Sequence, residues 1–146
     1  MKKLACAIVV LAWGTLAHSA PLTASRTTDL VDAINGVTAA AQNNGYELVK
    51  VQPIDQALVK RGYPDPGVRI LFIGKSSAMD QAMKTNPKLL SVLPLRITLI
   101  VEGKEIMVSS DDLEAWKEMF PDPETARLIE SWQSDLRTIL SEFSGH

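Results

Sequence analysis

Val68-Arg-Ile-Leu-Phe-Ile-Gly74 and Leu93-Pro-Leu-Arg-Ile-Thr-Leu-Ile-Val101, the second running through Glu102-Gly103 into Lys104-Glu-Ile-Met-Val108, decide the fold. The first run is almost continuously apolar from Val68 to Ile73, which predicts a central strand covered on one face and partly on the other. In the second, Leu95, Ile97, Leu99 and Val101 face one way and Arg96, Thr98 and Ile100 the other, the period of a strand with one buried face. Glu102-Gly103 predicts a two-residue hairpin turn in which Gly103 supplies the positive backbone angle. Between the two runs, Gly74-Lys75-Ser76-Ser77 leads into a helix over residues 78–84. Ser77 and Asp80 stand at capping-box spacing, Met79, Ala82 and Met83 form an inward stripe, and Asn86-Pro87 ends the element.

Upstream, residues 21–27 read as a short polar lead. Leu30, Ile34, Val37 and Ala41 then recur at helical spacing, with Thr28 or Asp29 placed to cap the start and Asn43-Asn44-Gly45 to stop it. Residues 46–52 predict a half-buried strand with Glu47, Val49 and Val51 on one face. Pro53 opens a short helix through Val59, before the Pro64-Asp65-Pro66-Gly67 turn. Downstream, Ser109 and Ser110 are placed to cap a helix that turns Leu113, Trp116 and Phe120 inward. Asp122-Pro123-Glu124 starts a last, long helix with a broad apolar stripe of Leu128, Ile129, Trp132, Leu136, Ile139, Leu140 and Phe143. The order predicts an α+β, two-layer domain over residues 25–120, a small and mainly antiparallel sheet packed by helices. Residues 121–146 form an extra C-terminal amphipathic helix packed on it.

The chain has 146 residues, 46% hydrophobic and 22% charged, ordinary for one globular domain. Its first residues have a different logic. Lys2 and Lys3, the apolar run from Leu4 to Leu16 and the small-residue region Ala17-His-Ser-Ala20 have the layout of a secretory signal, with cleavage expected near residues 19–24. The apolar run falls short of the roughly 20 residues a membrane span needs, so no span is expected after cleavage. Cys6 leaves with the signal, and the mature chain then has no cysteine and no disulfide. Removing residues 1–19 takes two lysines and no acid, so 15 basic and 17 acidic residues become 13 and 17, a net charge of −4. That balance argues against a nucleic-acid partner. The expected location is the periplasm or the exterior.

The residues Ile54-Asp55 followed by Gly62, then Ile70-Leu-Phe-Ile-Gly74, Met83, Pro87, Leu93-Pro94-Leu95-Arg96-Ile97, the Glu102-Gly103 turn and Val108-Ser109 carry a resemblance. Over roughly residues 44–113 the chain resembles domain-of-unknown-function family 302. The resemblance implies a compact α+β fold with no established activity and supplies no catalytic residue. A common version of the family pattern has Asp-His where this chain has Asp55-Gln56, and Gly-Asn-Pro where it has Gly74-Lys75-Ser76.

The candidate chemistry is sparse. Arg69, Lys75 and Arg96, with Asp55 nearby, are candidates to converge on a small anionic ligand; the alternative is solvated strand ends. Gly74-Lys75-Ser76 lacks the glycine that a phosphate-binding loop would need at the position of Arg69. Met79 and Met83, one helical turn apart, match a soft copper(I) pair, against which stands their place in the apolar stripe. Trp132, Leu136 and Phe143 on the last helix are candidates for contact with a second copy or another envelope protein, the alternative being the monomer core. With only His146 and no cysteine in the mature chain, nucleophilic and metal-assisted catalysis are disfavoured and no cofactor is expected. The sequence therefore reads as an exported binding or accessory module. The runner-up is an enzyme or small-ligand site around Arg69, Lys75 and Arg96.

Overall fold

A computed structural model describes residues 22–145. The signal-like segment, with its cleavage region up to Pro21, and His146 lie outside the described residues. Five strands form one antiparallel sheet: β1 (Leu22–Thr27), β2 (Glu47–Pro53), β3 (Val68–Gly74), β4 (Leu95–Glu102) and β5 (Glu105–Ser110), in the spatial order β1-β5-β4-β3-β2. The helices are α1 (Leu30–Asn43), α2 (Ile54–Val59), α3 (Ser76–Thr85), α4 (Glu114–Met119) and α5 (Pro123–Ser144), with a 3-10 turn at Pro87–Ser91. The molecule is the α+β domain expected: a sheet packed by helices, with a long C-terminal α5.

The decisive stretch behaves as its pattern requires. Leu71 and Ile73 of β3, Leu95, Ile97 and Leu99 of β4, and Ile106 and Val108 of β5 point to the helices and are buried. They meet Ala33, Val37 and Ala41 of α1 and the stripe Ile129, Trp132, Leu136, Ile139, Leu140 and Phe143 of α5 in one core. Trp132, Leu136 and Phe143, considered above as an interface, are thus committed to the interior of the monomer. The caps agree with the sequence at both long helices. Asp29 accepts from the Asp32 N–H at 2.9 Å, and Asp122 accepts from the Thr125 N–H at 2.9 Å and from its hydroxyl at 2.7 Å. Gly45 and Gly145 take the left-handed conformation just beyond α1 and α5.

Several local expectations are corrected. Residues 22–27 are not a lead but strand β1, paired with β5 from Leu22↔Ser110 to Thr27↔Glu105. An edge strand needs only one partner's backbone and a weak apolar alternation, here Leu22 and Ala24, so its pattern is faint. The same pairing draws Ser109 and Ser110 into β5 instead of a helix cap. The hairpin loop is Gly103-Lys104, one residue later than expected, because Glu102 still pairs with Glu105; Gly103, at φ +65°, is the first loop residue. In α3 the buried residues are Ala78 and Ala82, whereas Met79 and Met83 are exposed. The helix begins at Ser76 after an extended Lys75 with no side-chain cap, so Ser77 does not cap it. Small alanines let α3 lie close to its neighbours, which turns the bulkier methionines outward.

Candidate functional site

The site grows from an irregularity in β2. Register slips between Leu48, opposite Ile73, and Lys50, opposite Phe72, leaving Val49 as an extra residue on the β2 strand. A bulge of this kind breaks alternation and re-aims a side chain. The Glu47, Val49 and Val51 face expected from the sequence is therefore split: Val51 packs against the core, and Val49 is 62% exposed. Gly74 at the end of β3 accommodates the bulge, since a Cβ there would stand 3.0 Å from Val49 Cγ2.

Val49 and Gly74 form one wall of a pocket of about 310 Å³, with Lys75, Met79 of α3, Leu90 of the 3-10 turn, and Leu93 and Pro94 leading into β4 around the rest. Met79 is 51% exposed and Leu90 37%. The surface is nearly all apolar, and the volume is that of a small-molecule cleft.

The one charge on the wall, Lys75, is held from three sides. Its ammonium donates to Asn44 O at 3.1 Å, pairs with Asp135 Oδ2 of α5 at 3.4 Å, and lies 4.8 Å from the centre of the Tyr46 ring. Tyr46, itself buried, donates its hydroxyl to the same Asp135 oxygen at 2.7 Å. Burial first, and then the hydrogen bond to the Asp135 carboxylate, raise the tyrosine far above its ordinary range, so it remains a protonated donor. The cluster joins the end of α1, the start of β2, the entrance of α3 and the middle of α5. It leaves the pocket's one cation electrically compensated from behind.

Arg69 and Lys75 flank opposite ends of β3, about 20 Å apart at ~3.3 Å per residue. Arg69 Nη1 is ion-paired with Asp55, which is 1% exposed at the start of α2 and also accepts the Gln56 N–H at 2.8 Å. The same guanidinium donates to Val68 O at 3.0 Å. This pair, with Gln56, Val59, Lys60 and Asp65, lines a second, shallow cleft. Arg96 is on β4 opposite Phe72 and pairs with Asp111 at 2.6 Å, both side chains about half exposed. The three cations are thus answered by three carboxylates in three places; only Arg69 and Asp55 are brought together. Met79 stands in the apolar pocket and Met83 one turn further along α3. Among the described residues no group of three or more His, Cys, Asp or Glu side chains could hold a metal ion, and no helix is long and apolar enough to cross a membrane.

Sequence reasoning missed Tyr46, Asp135, Leu90 and the role of Val49. The Tyr46 to Asp135 contact spans 89 residues, and no local period reports it. The bulge had one visible trace, the loose alternation of Leu48-Val-Lys-Val51.

A family model described as "Domain of unknown function DUF302" matches residues 22–143, from the first residue of β1 to the last turn of α5. The chain belongs to the DUF302 family. The match is wider than the motifs that carried the resemblance, and takes in β1, α4 and nearly all of α5. The fold is also that of an uncharacterised conserved DUF302 protein from Bacillus stearothermophilus, whose crystal structure superimposes with a TM-score of 0.77 at 14% identity, covering 84% of this chain and 96% of that one. No match is found among the curated proteins. DUF302 membership and the shared fold establish no activity.

Proposed function

We propose that this DUF302 protein is an exported, non-catalytic binding module that takes a small apolar ligand, a ring or a short acyl chain, in the pocket beside the β2 bulge. The observation that carries the reading is the convergence of Val49, Met79 and Leu90, each substantially exposed, on one cavity of about 310 Å³. Isolated exposed apolar residues are ordinary, but several lining one preformed cleft are the usual makings of a ligand site. The compensated Lys75 favours a neutral occupant over a strongly anionic one, because Asn44 O and the Asp135 carboxylate already take two of its three donors and the Tyr46 ring lies against it. Export is supported by Lys2, Lys3, the apolar run 4–16 and the small residues that follow.

The neutral fluorophore N-phenyl-1-naphthylamine is a direct probe. It is expected to bind the mature protein with one-to-one saturation, and Met79→Asp and Leu90→Asp are each expected to weaken it by about tenfold, as loss of roughly 1.4 kcal/mol of apolar contact requires. Absence of saturable binding, or binding untouched by both substitutions, overturns the pocket assignment. The denatured mass of the protein recovered from the host envelope tests export separately: a chain beginning between residues 20 and 25 is expected, and a chain retaining Met1 rejects it.

A further inference from the structure

The second cleft, of about 310 Å³, lies at the other end of β3 from the apolar pocket and is built around Asp55 and Arg69. Arg69 stands opposite Pro53 of β2 and Leu99 of β4, and Leu99 is fully buried. Strand alternation therefore puts Arg69 in line with Leu71 and Ile73, on the side of the sheet that the helices cover. An apolar residue would continue that row. The chain instead holds a guanidinium there, with 20% of its side chain exposed, against a carboxylate with 2% exposed. Desolvating two charges cancels much of their attraction, and an apolar pair of similar volume is often no less stable in such a place. Stability alone does not account for the pair.

The donors of Arg69 point to a use. A guanidinium has five N–H groups. Nη1 serves the Asp55 carboxylate and Val68 O. The Nε–H and the two N–H groups of Nη2 have no acceptor among the described residues. No Arg69 nitrogen is both buried and unpartnered, so these donors open to the cleft that the side chain lines. The Nε–H and one Nη2–H run parallel in the guanidinium plane, which is the spacing that the two oxygens of a carboxylate accept. Asp55, gripping Nη1, holds that fork in place. Lys60 lines the same cleft and forms no ion pair among the described residues, whereas Asp65 is turned to its own loop and accepts the Gly67 N–H at 2.7 Å. Val59, 48% exposed, adds an apolar wall.

We propose that this cleft binds a small organic monocarboxylate. Its carboxylate sits on the Nε and Nη2 fork of Arg69, the Lys60 ammonium adds attraction, and a short apolar body lies against Val59. Asp55 and Asp65 balance the two cations, which disfavours a dianion such as phosphate. The site is separate from the apolar pocket, and neither assignment depends on the other.

Isobutyrate, with the neutral isostere isobutyramide as control, tests this by heteronuclear NMR titration of the mature chain at constant ionic strength. Isobutyrate is expected to shift the Arg69 Nε and Gln56 backbone amide resonances saturably, with a Kd of about 1 mM. Isobutyramide and phosphate are each expected to bind at least about tenfold more weakly. Arg69→Lys keeps a cation beside Asp55 but removes the fork, and is expected to weaken isobutyrate about tenfold, read at Gln56. Asp55→Leu with Arg69→Met, which puts an apolar pair in the row, is expected to stay folded by circular dichroism and to lose binding altogether. Absence of a saturable shift up to about 50 mM isobutyrate overturns the proposal. So does isobutyramide or phosphate binding as tightly as isobutyrate, or either folded variant binding as the wild type does.

Discussion

The two faces of the sheet are built by the same strands and differ in what covers them. On β4, Ile97 points into the helix layer and is fully buried, whereas Ile100, three residues later, points to the open side and remains half-exposed. The residue type is the same, so the difference lies in the second layer, where Trp132, Leu136 and Phe143 of α5 close the inner face. The inner face secures the fold, and the outer face of the sheet is left without a helix layer.

The largest effect that would sharpen this contrast comes from making one substitution on both faces. Ile97→Ala is expected to lower unfolding stability by about 2–5 kcal/mol, because it removes buried contacts and leaves a cavity. Ile100→Ala is expected to cost less than about 1 kcal/mol. Urea unfolding of the two variants measures both, and equal losses would mean that the outer face is covered within the monomer.

Next in size is the ion pair at the polar end of β3. Asp55→Ala strands Arg69 without its carboxylate and is expected to cost roughly 2–3 kcal/mol. That is below the full cost of a stranded buried charge, because the Arg69 side chain keeps 20% of its surface in water. The double replacement Asp55→Leu with Arg69→Met is expected to recover most of the loss in thermal melts. Failure to recover would show that the pair does more than neutralise itself.

The smallest effect is at the start of α5. The backbone N–H of Thr125, followed by its hydroxyl, holds the Asp122 carboxylate below the ordinary value of 3.8. A folded-state value lower than the unfolded one contributes stability that is fully present above the unfolded value and is lost as pH falls through the folded one. Asp122→Asn keeps a capping oxygen but does not titrate. Its melting temperature is therefore expected to fall less steeply with acid below about pH 4 than that of the wild type. Parallel acid profiles for the two proteins would contradict this.

Much of the architecture was legible because it follows local periods. The continuous apolar run of β3, the alternation of β4, the Asp122-Pro123 start of α5 and its seven-residue stripe each state their structure within a few residues, and together they give the class. β1 was not legible, since Leu22-Thr-Ala-Ser-Arg-Thr27 has too little alternation to announce a strand until β5 offers it an edge. The stripe of α3 was misassigned for a related reason. Ala78 and Ala82 are weak hydrophobic signals beside Met79 and Met83, but close helix packing rewards the smaller side chains.

For the candidate site the division is sharper. Lys75 could be singled out from the sequence, but its partners Tyr46, Asn44 and Asp135 come from three other segments, and their meeting depends on how α1 and α5 lie against the sheet. Arg69, Lys75 and Arg96 shared a sign and a strand neighbourhood, yet strand geometry set the first two about 20 Å apart. By itself the sequence determined most of the secondary elements, the buried faces of β3, β4 and α5, and the family, because a side chain's hydrophobicity and its local period act over a few residues. Only the tertiary structure decided which charges meet, where the bulge opens a pocket and which sheet face stays bare, because those depend on contacts between segments that no local pattern encodes.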